Sequence, residues 1–62
     1  MKRRDLIKKI EELGWWFLKH GGRHDIYTNG KEIEPVQRHN EIPEPLARKI
    51  IKRVKNSPPK EN

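Results

Sequence analysis

Residues 23–36 read Arg23-His24-Asp25-Ile26-Tyr27-Thr28-Asn29-Gly30-Lys31-Glu32-Ile33-Glu34-Pro35-Val36. An Asn-Gly pair between two alternating runs is the strongest short-range hairpin signal, because a two-residue type I′ turn needs positive φ at both positions. The stretch predicts antiparallel strands over 23–28 and 31–36. With a two-residue turn, Thr28 opposes Lys31, Ile26 opposes Ile33 and His24 opposes Pro35. His24 and Ile26 then face one side, and Asp25 and Tyr27 the other. A slip of one residue exchanges the faces, and the stretch does not select between the two. Pro35 has no N–H to give a ladder, which places its strand at an edge or marks its end.

Upstream, Gly21-Gly22 breaks the chain, and Trp15-Trp16-Phe17-Leu18-Lys19 before it is short, aromatic and apolar, a further strand. Four apolar residues in a row predict a strand covered on more than one face. Trp15, Trp16 and Phe17 are expected inside, since a chain this poor in apolar mass needs them there; stacking on nucleic-acid bases is their alternative use. Earlier still, Leu6, Ile7, Ile10 and Leu13 recur at helical spacing and predict an amphipathic helix over 2–13. Gly14 follows directly, as a left-handed stop. Downstream, residues 37–43 form a polar connection, and Pro43 and Pro45 suit a helix entry, whose first N–H groups lack partners anyway. Leu46, Ala47, Ile50, Ile51 and Val54 give a second amphipathic helix with Arg48, Lys49, Lys52, Arg53 and Lys55 outside. Leu6, Ile10, Leu13, Leu46, Ile50 and Val54 are expected between helices and sheet. The domain then spans 1–56, and 57–62, which holds no apolar residue, is expected to be a disordered polar tail. The order is α-β-β-β-α: an α+β fold, a three-stranded antiparallel sheet with two helices on one face, of the double-stranded-RNA-binding-domain shape.

With 62 residues, 31% of them apolar and 39% charged, the chain cannot wall off a deep cavity, so no cofactor is expected. Fifteen Lys and Arg against nine Asp and Glu leave a net charge of +6, which favours a polyanionic partner: nucleic acid, an anionic membrane or an acidic protein. The absence of cysteine excludes disulfides, thiolate zinc sites and a thiol nucleophile. Met1-Lys2-Arg3-Arg4 looks like the start of a signal peptide, but charges recur every few residues after it and no apolar run follows. Nor does any stretch reach the length of a membrane span. A cytoplasmic location is expected.

The side chains able to do chemistry are few: His20, His24, His39, Tyr27, the carboxylates and many cations. His24 is the best placed. It opens a strand just after Gly21-Gly22, where a phosphate can approach the backbone closely, and beside Arg23, whose charge is permanent. An imidazole titrates near neutral pH, and metal-free RNA cleavage asks for a base at the 2′-hydroxyl, an acid at the leaving oxygen and cations at phosphorus. His24 would accept the proton while Arg23 and Lys19 or Arg38 balance the charge. The plainer alternative is an ordinary strand histidine. No helical H-x-x-x-H or H-E-x-x-H pattern exists, so a metal site is not expected. Gly21-Gly22 lacks the G-K-[ST] ending and following helix of a P-loop.

The run Leu13-Gly14-Trp15-Trp16-Phe17-Leu18-Lys19-His20-Gly21-Gly22-Arg23-His24-Asp25-Ile26-Tyr27 resembles the heart of the HicA (YcfA-like) toxins. A second block, Val36-Gln37-Arg38-His39-Asn40-Glu41-Ile42 with Leu46-Ala47-Arg48-Lys49-Ile50-Ile51-Lys52, is similar to that family's V-P-R-H-x-E-I…L-A-R-K-I-L. The resemblance implies the toxin of a toxin–antitoxin pair with the fold above, cleaving mRNA without a metal and neutralised by a HicB-like antitoxin. The family's essential histidine maps onto His24. Arg23 stands where many members have Ser, Lys19 where Arg is common, Gln37 where Pro is usual, and Pro45 where Gly or a polar residue is frequent. Arg23 adds a cation; Gln37 loosens the turn after the third strand. The alternative function is a non-catalytic module of the same fold that binds RNA or an antitoxin partner.

Overall fold

The computed structural model describes residues 1–59. Its elements are α1 (Arg3–Glu12), β1 (Trp16–His20), β2 (His24–Thr28), β3 (Ile33–Gln37) and α2 (Glu44–Asn56). The strands form one antiparallel sheet in the order β1-β2-β3. The expected α-β-β-β-α architecture is the one present. Leu6, Ile10, Ile50 and Val54 are buried in the core, and Leu13 and Leu46 pack against it half-buried.

The end of α1 is decided locally. Gly14 has φ +92°, its N–H donates to the Glu11 carbonyl at 3.0 Å, and the Trp15 N–H reaches back to Ile10 at 3.1 Å. These two bonds make a Schellman cap, and only a residue without a Cβ enters it without strain. The cap turns Trp15 inward, where it is 2% exposed and donates its indole N–H to the Ser57 carbonyl at 2.8 Å. Ser57–Pro59 therefore stand against the fold rather than hanging free: Pro59 Cγ would lie 2.5 Å from a Cβ on Gly14. The remainder of the expected tail, 60–62, lies outside the described residues.

The β2–β3 turn differs from the expectation. Thr28 pairs with Ile33, Ile26 with Pro35 and His24 with Gln37, so four residues, Asn29–Glu32, make the loop. A type I′ turn would need Asn29 at positive φ, and in this turn only Gly30, at +94°, has it. The cause is the Asn29 side chain. Its Oδ1 accepts from the amides of Lys31 at 2.8 Å and Glu32 at 2.6 Å, and its Nδ2 donates to Ser57 O at 3.0 Å. Because the shift is two residues, the strand faces survive.

One face of the sheet carries Asp25, Tyr27, Glu34 and Val36. Tyr27 and Val36 join the core with Leu6, Ile10, Trp15, Ala47, Ile50 and Val54. Ile42, in the segment read as a polar connection, is also fully buried, pinned by its N–H to Met1 O at 2.8 Å. The expectation that Trp16 and Phe17 lie inside, and that β1 is covered on more than one face, is not met: Trp16, Phe17 and Leu18 are 46%, 42% and 47% exposed. Two helices cover β2 and β3, and the edge strand β1 lies beyond them with all five residues exposed. Phe17 instead rests on Tyr27 and His20, at ring distances of 5.8 and 4.9 Å.

Candidate functional site

His24 is the first residue of β2 and is half-buried. Alternation along the strand sets it opposite to Asp25, whose carboxylate meets Arg3 on α1; His24 therefore lies on the sheet face away from the helices. Lys19 pairs with Ile26 and shares that outer face, while Arg23 projects from the β1–β2 loop. Both cations are exposed and neither has an ion-pair partner among the described residues. Arg38 is placed differently. Its guanidinium donates from Nε to Asp25 Oδ1 at 2.8 Å, from Nη1 to Gly22 O at 2.9 Å, and from Nη2 to Gly21 O at 2.7 Å. A longer Nη2 contact reaches His24 O at 3.3 Å. One planar fork thus ties down the loop that carries His24.

The structure also assembles a group that sequence reasoning missed. Trp16 pairs with Thr28 and Phe17 with Tyr27, but Lys19 then pairs with Ile26 and His20 with Asp25. Leu18 is the extra residue of a β-bulge. In a regular ladder Lys19 would sit opposite Asp25; the bulge moves His20 there instead. Its Nδ1 stands 2.7 Å from Asp25 Oδ1. The other carboxylate oxygen, Oδ2, accepts from Arg3 Nη2 at 2.7 Å, and Arg3 Nε donates to Gln37 O at 2.7 Å. His20, Arg38 and Arg3, from three separate parts of the chain, converge on one buried carboxylate.

The hydrogen bonds from His20 and then Arg38 outweigh burial and hold the Asp25 carboxyl down at about 2. Being ionised at neutral pH, Asp25 has no proton to share, so His20 Nδ1–H is the donor and the ring's Nε2 is left free. The His20 side chain is 73% exposed, against 13% for Asp25. Beyond Arg3 lies an open cleft of about 400 Å³ lined by Lys2, Arg3, Arg4 and Asn40. His39 is exposed and takes no part in the cluster. Among the described residues, no three His, Asp or Glu side chains gather closely enough to hold a metal ion, and no helix is long and apolar enough to cross a membrane. One signal for the cluster was present in the sequence. Asp25 shares a strand face with Tyr27, and a carboxylate on a core face requires charged partners. Which residues supply them was not legible, because Arg3 and Arg38 lie 22 and 13 positions away.

A family model described as the HicA toxin of bacterial toxin–antitoxin systems matches residues 3–55. No curated protein and no solved structure matches the chain.

Proposed function

This chain belongs to the HicA toxins of bacterial toxin–antitoxin systems, and from that premise we propose that it is an endoribonuclease that cuts mRNA by side-chain proton transfer alone. The observation that carries the reading is the position of His24. It opens β2 on the uncovered sheet face, next to a glycine loop fastened by Arg38 and within the same exposed region as Lys19 and Arg23. His24 takes the proton of a ribose 2′-hydroxyl, the 2′-oxygen attacks the adjacent phosphorus, and the 5′-oxygen leaves, giving a 2′,3′-cyclic phosphate. Lys19 and Arg23 offset the charge that grows on the phosphate oxygens. Arg38 adds positive charge while holding the loop. The antitoxin partner is a HicB-like protein, with acidic groups matched to a chain of net charge +6.

The test is cleavage of a defined RNA by purified protein. His24→Ala lowers the rate by roughly 10²–10⁴-fold, the usual contribution of a general base, and leaves the thermal midpoint unchanged. Cleavage persists in EDTA, and a substrate with 2′-deoxyribose at the scissile position is not cut. Full activity in the alanine variant, or loss of activity on chelation, refutes the reading.

A further inference from the structure

We propose that His20, oriented by Asp25, is the second proton-transfer group of this cleavage, the acid that protonates the leaving 5′-oxygen while His24 receives the 2′-hydroxyl proton. The inference rests on the ribonuclease reading and adds the group that reading leaves unassigned. Four observations support it.

His20 is held at one nitrogen and open at the other. Nδ1 is bonded to Asp25 at 2.7 Å, and the side chain is 73% exposed. A carboxylate on Nδ1 fixes the ring's orientation and tautomer and leaves Nε2 to exchange protons, the logic of any His–Asp pair in acid–base catalysis. The Phe17 ring, 4.9 Å away, limits the imidazole from one side.

His20 gives Asp25 a hydrogen bond but is not its sole partner. Both its oxygens already accept from guanidinium groups, Arg3 on α1 and Arg38 after β3. A histidine this exposed adds little burial of its own, and its outer nitrogen faces solvent rather than the fold.

The placement also suits the reaction. His20 ends β1 and His24 begins β2, separated by Gly21-Gly22-Arg23 alone, with their side chains on opposite faces of the sheet. In-line displacement at phosphorus needs the attacking and leaving oxygens on opposite sides. A phosphate lodged at the glycine loop meets the base from one face and the acid from the other.

Finally, the fold gives no reason for Gly22. Its φ is not positive, and an added Cβ would meet nothing within 4 Å. Gly21, by contrast, has His24 O 3.0 Å from where a Cβ would stand. Close approach of a ligand is the remaining use for an unencumbered glycine. The step balances with His20 entering as the imidazolium, one proton on Nδ1 toward Asp25 and one on Nε2: the 2′-O–H proton goes to His24, the 2′-O–P bond forms as the P–O5′ bond breaks, and the 5′-oxygen takes the Nε2 proton of His20. Exchange with water then restores both rings.

A substrate with sulfur in place of the bridging 5′-oxygen tests this, because a thiolate leaves without protonation. Single-turnover cleavage of ordinary RNA is compared with cleavage of the sulfur-bridged RNA for the unaltered protein, His20→Ala, Asp25→Asn and His24→Ala. On ordinary RNA, His20→Ala is slower by roughly 10²–10⁴-fold and Asp25→Asn by less. On the sulfur substrate both recover to near the unaltered rate, a rescue that damage to the fold would not show, while His24→Ala stays slow. Equal slowing of His20→Ala on both substrates, or no slowing on RNA, overturns the assignment and leaves the role of His24 standing. If the unaltered protein cuts neither substrate, the ribonuclease reading fails and this inference with it.

Discussion

The two hairpin ends of the sheet meet the same requirement with different chemistry. Each loop leaves backbone groups without ladder partners, and each recruits a side chain to satisfy them. At the β2–β3 end the side chains are neutral. Asn29 holds two amides, and the Thr28 hydroxyl donates to Glu32 O at 2.7 Å and accepts from Gly30 N at 3.0 Å. The side chains that hold this end are buried, Asn29 being 2% exposed, while Gly30 and Lys31 face solvent. At the β1–β2 end the side chain is charged: Arg38 binds the loop carbonyls and is itself anchored on Asp25, next to an exposed imidazole. A turn held by buried neutral side chains keeps its shape whatever the pH. A charged turn at the surface depends on ionisation and can exchange protons with whatever approaches, which is what a reaction site needs and a structural turn does not.

Removing the anchor of the charged end has the largest expected effect. Asp25→Ala strips Arg3 and Arg38 of their shared counter-charge and lowers the thermal midpoint further than Asn29→Ala or Gly30→Ala does. The pH dependence has a definite sign. The Asp25 carboxyl is held at about 2 against an ordinary 3.8, so its contribution is present above 3.8 and is lost as pH falls toward 2. In denaturant titrations the gap between the unaltered protein and Asp25→Ala closes across that window. A constant gap contradicts the charged anchor.

At the neutral end, Asn29→Ala leaves the part-buried Lys31 and Glu32 amides without their acceptor, and Ser57 O with the Trp15 indole alone. The expected cost is about 2 kcal/mol, or roughly 10 °C in a domain of this size, independent of pH, with cleavage per folded molecule unchanged. A pH-dependent loss would erase the contrast between the two ends.

The glycines divide in the same way. Gly30→Ala places a Cβ at φ +94° and 3.3 Å from the Trp16 ring, a strain of about 1–2 kcal/mol visible in thermal unfolding. Gly22→Ala meets no atom, so stability changes by less than about 0.5 kcal/mol, yet RNA cleavage slows. Unchanged cleavage would mean that nothing needs to approach this loop.

Much of this molecule is written in short-range terms. The 3.6-residue spacing of Leu6, Ile10 and Leu13, and of Ala47, Ile50 and Val54, specifies two helices with one apolar side each. Gly14 specifies where the first must stop, and His24 after a glycine pair is a recognisable position for chemistry. Each of these is a property of neighbours in the chain, set by φ, by steric clash or by the pitch of a helix.

Other features depend on partners that no local pattern names. The β2–β3 register follows from a buried Asn29 reaching Ser57, 28 positions on. Ile42 looks like part of a polar link until the segment pairs with Met1. Trp16 and Phe17 read as core, and the run through Leu18 as a covered strand, but two helices of this length do not extend over a third strand, and hydrophobicity alone does not say where the cover ends. The His20–Asp25 pair exists because one residue bulges from β1 and two arginines from distant segments neutralise the carboxylate. A ladder's register is a competition among long-range contacts that differ by one or two residues in alignment and little in local energy. It is settled only when buried polar groups on separate elements must find each other.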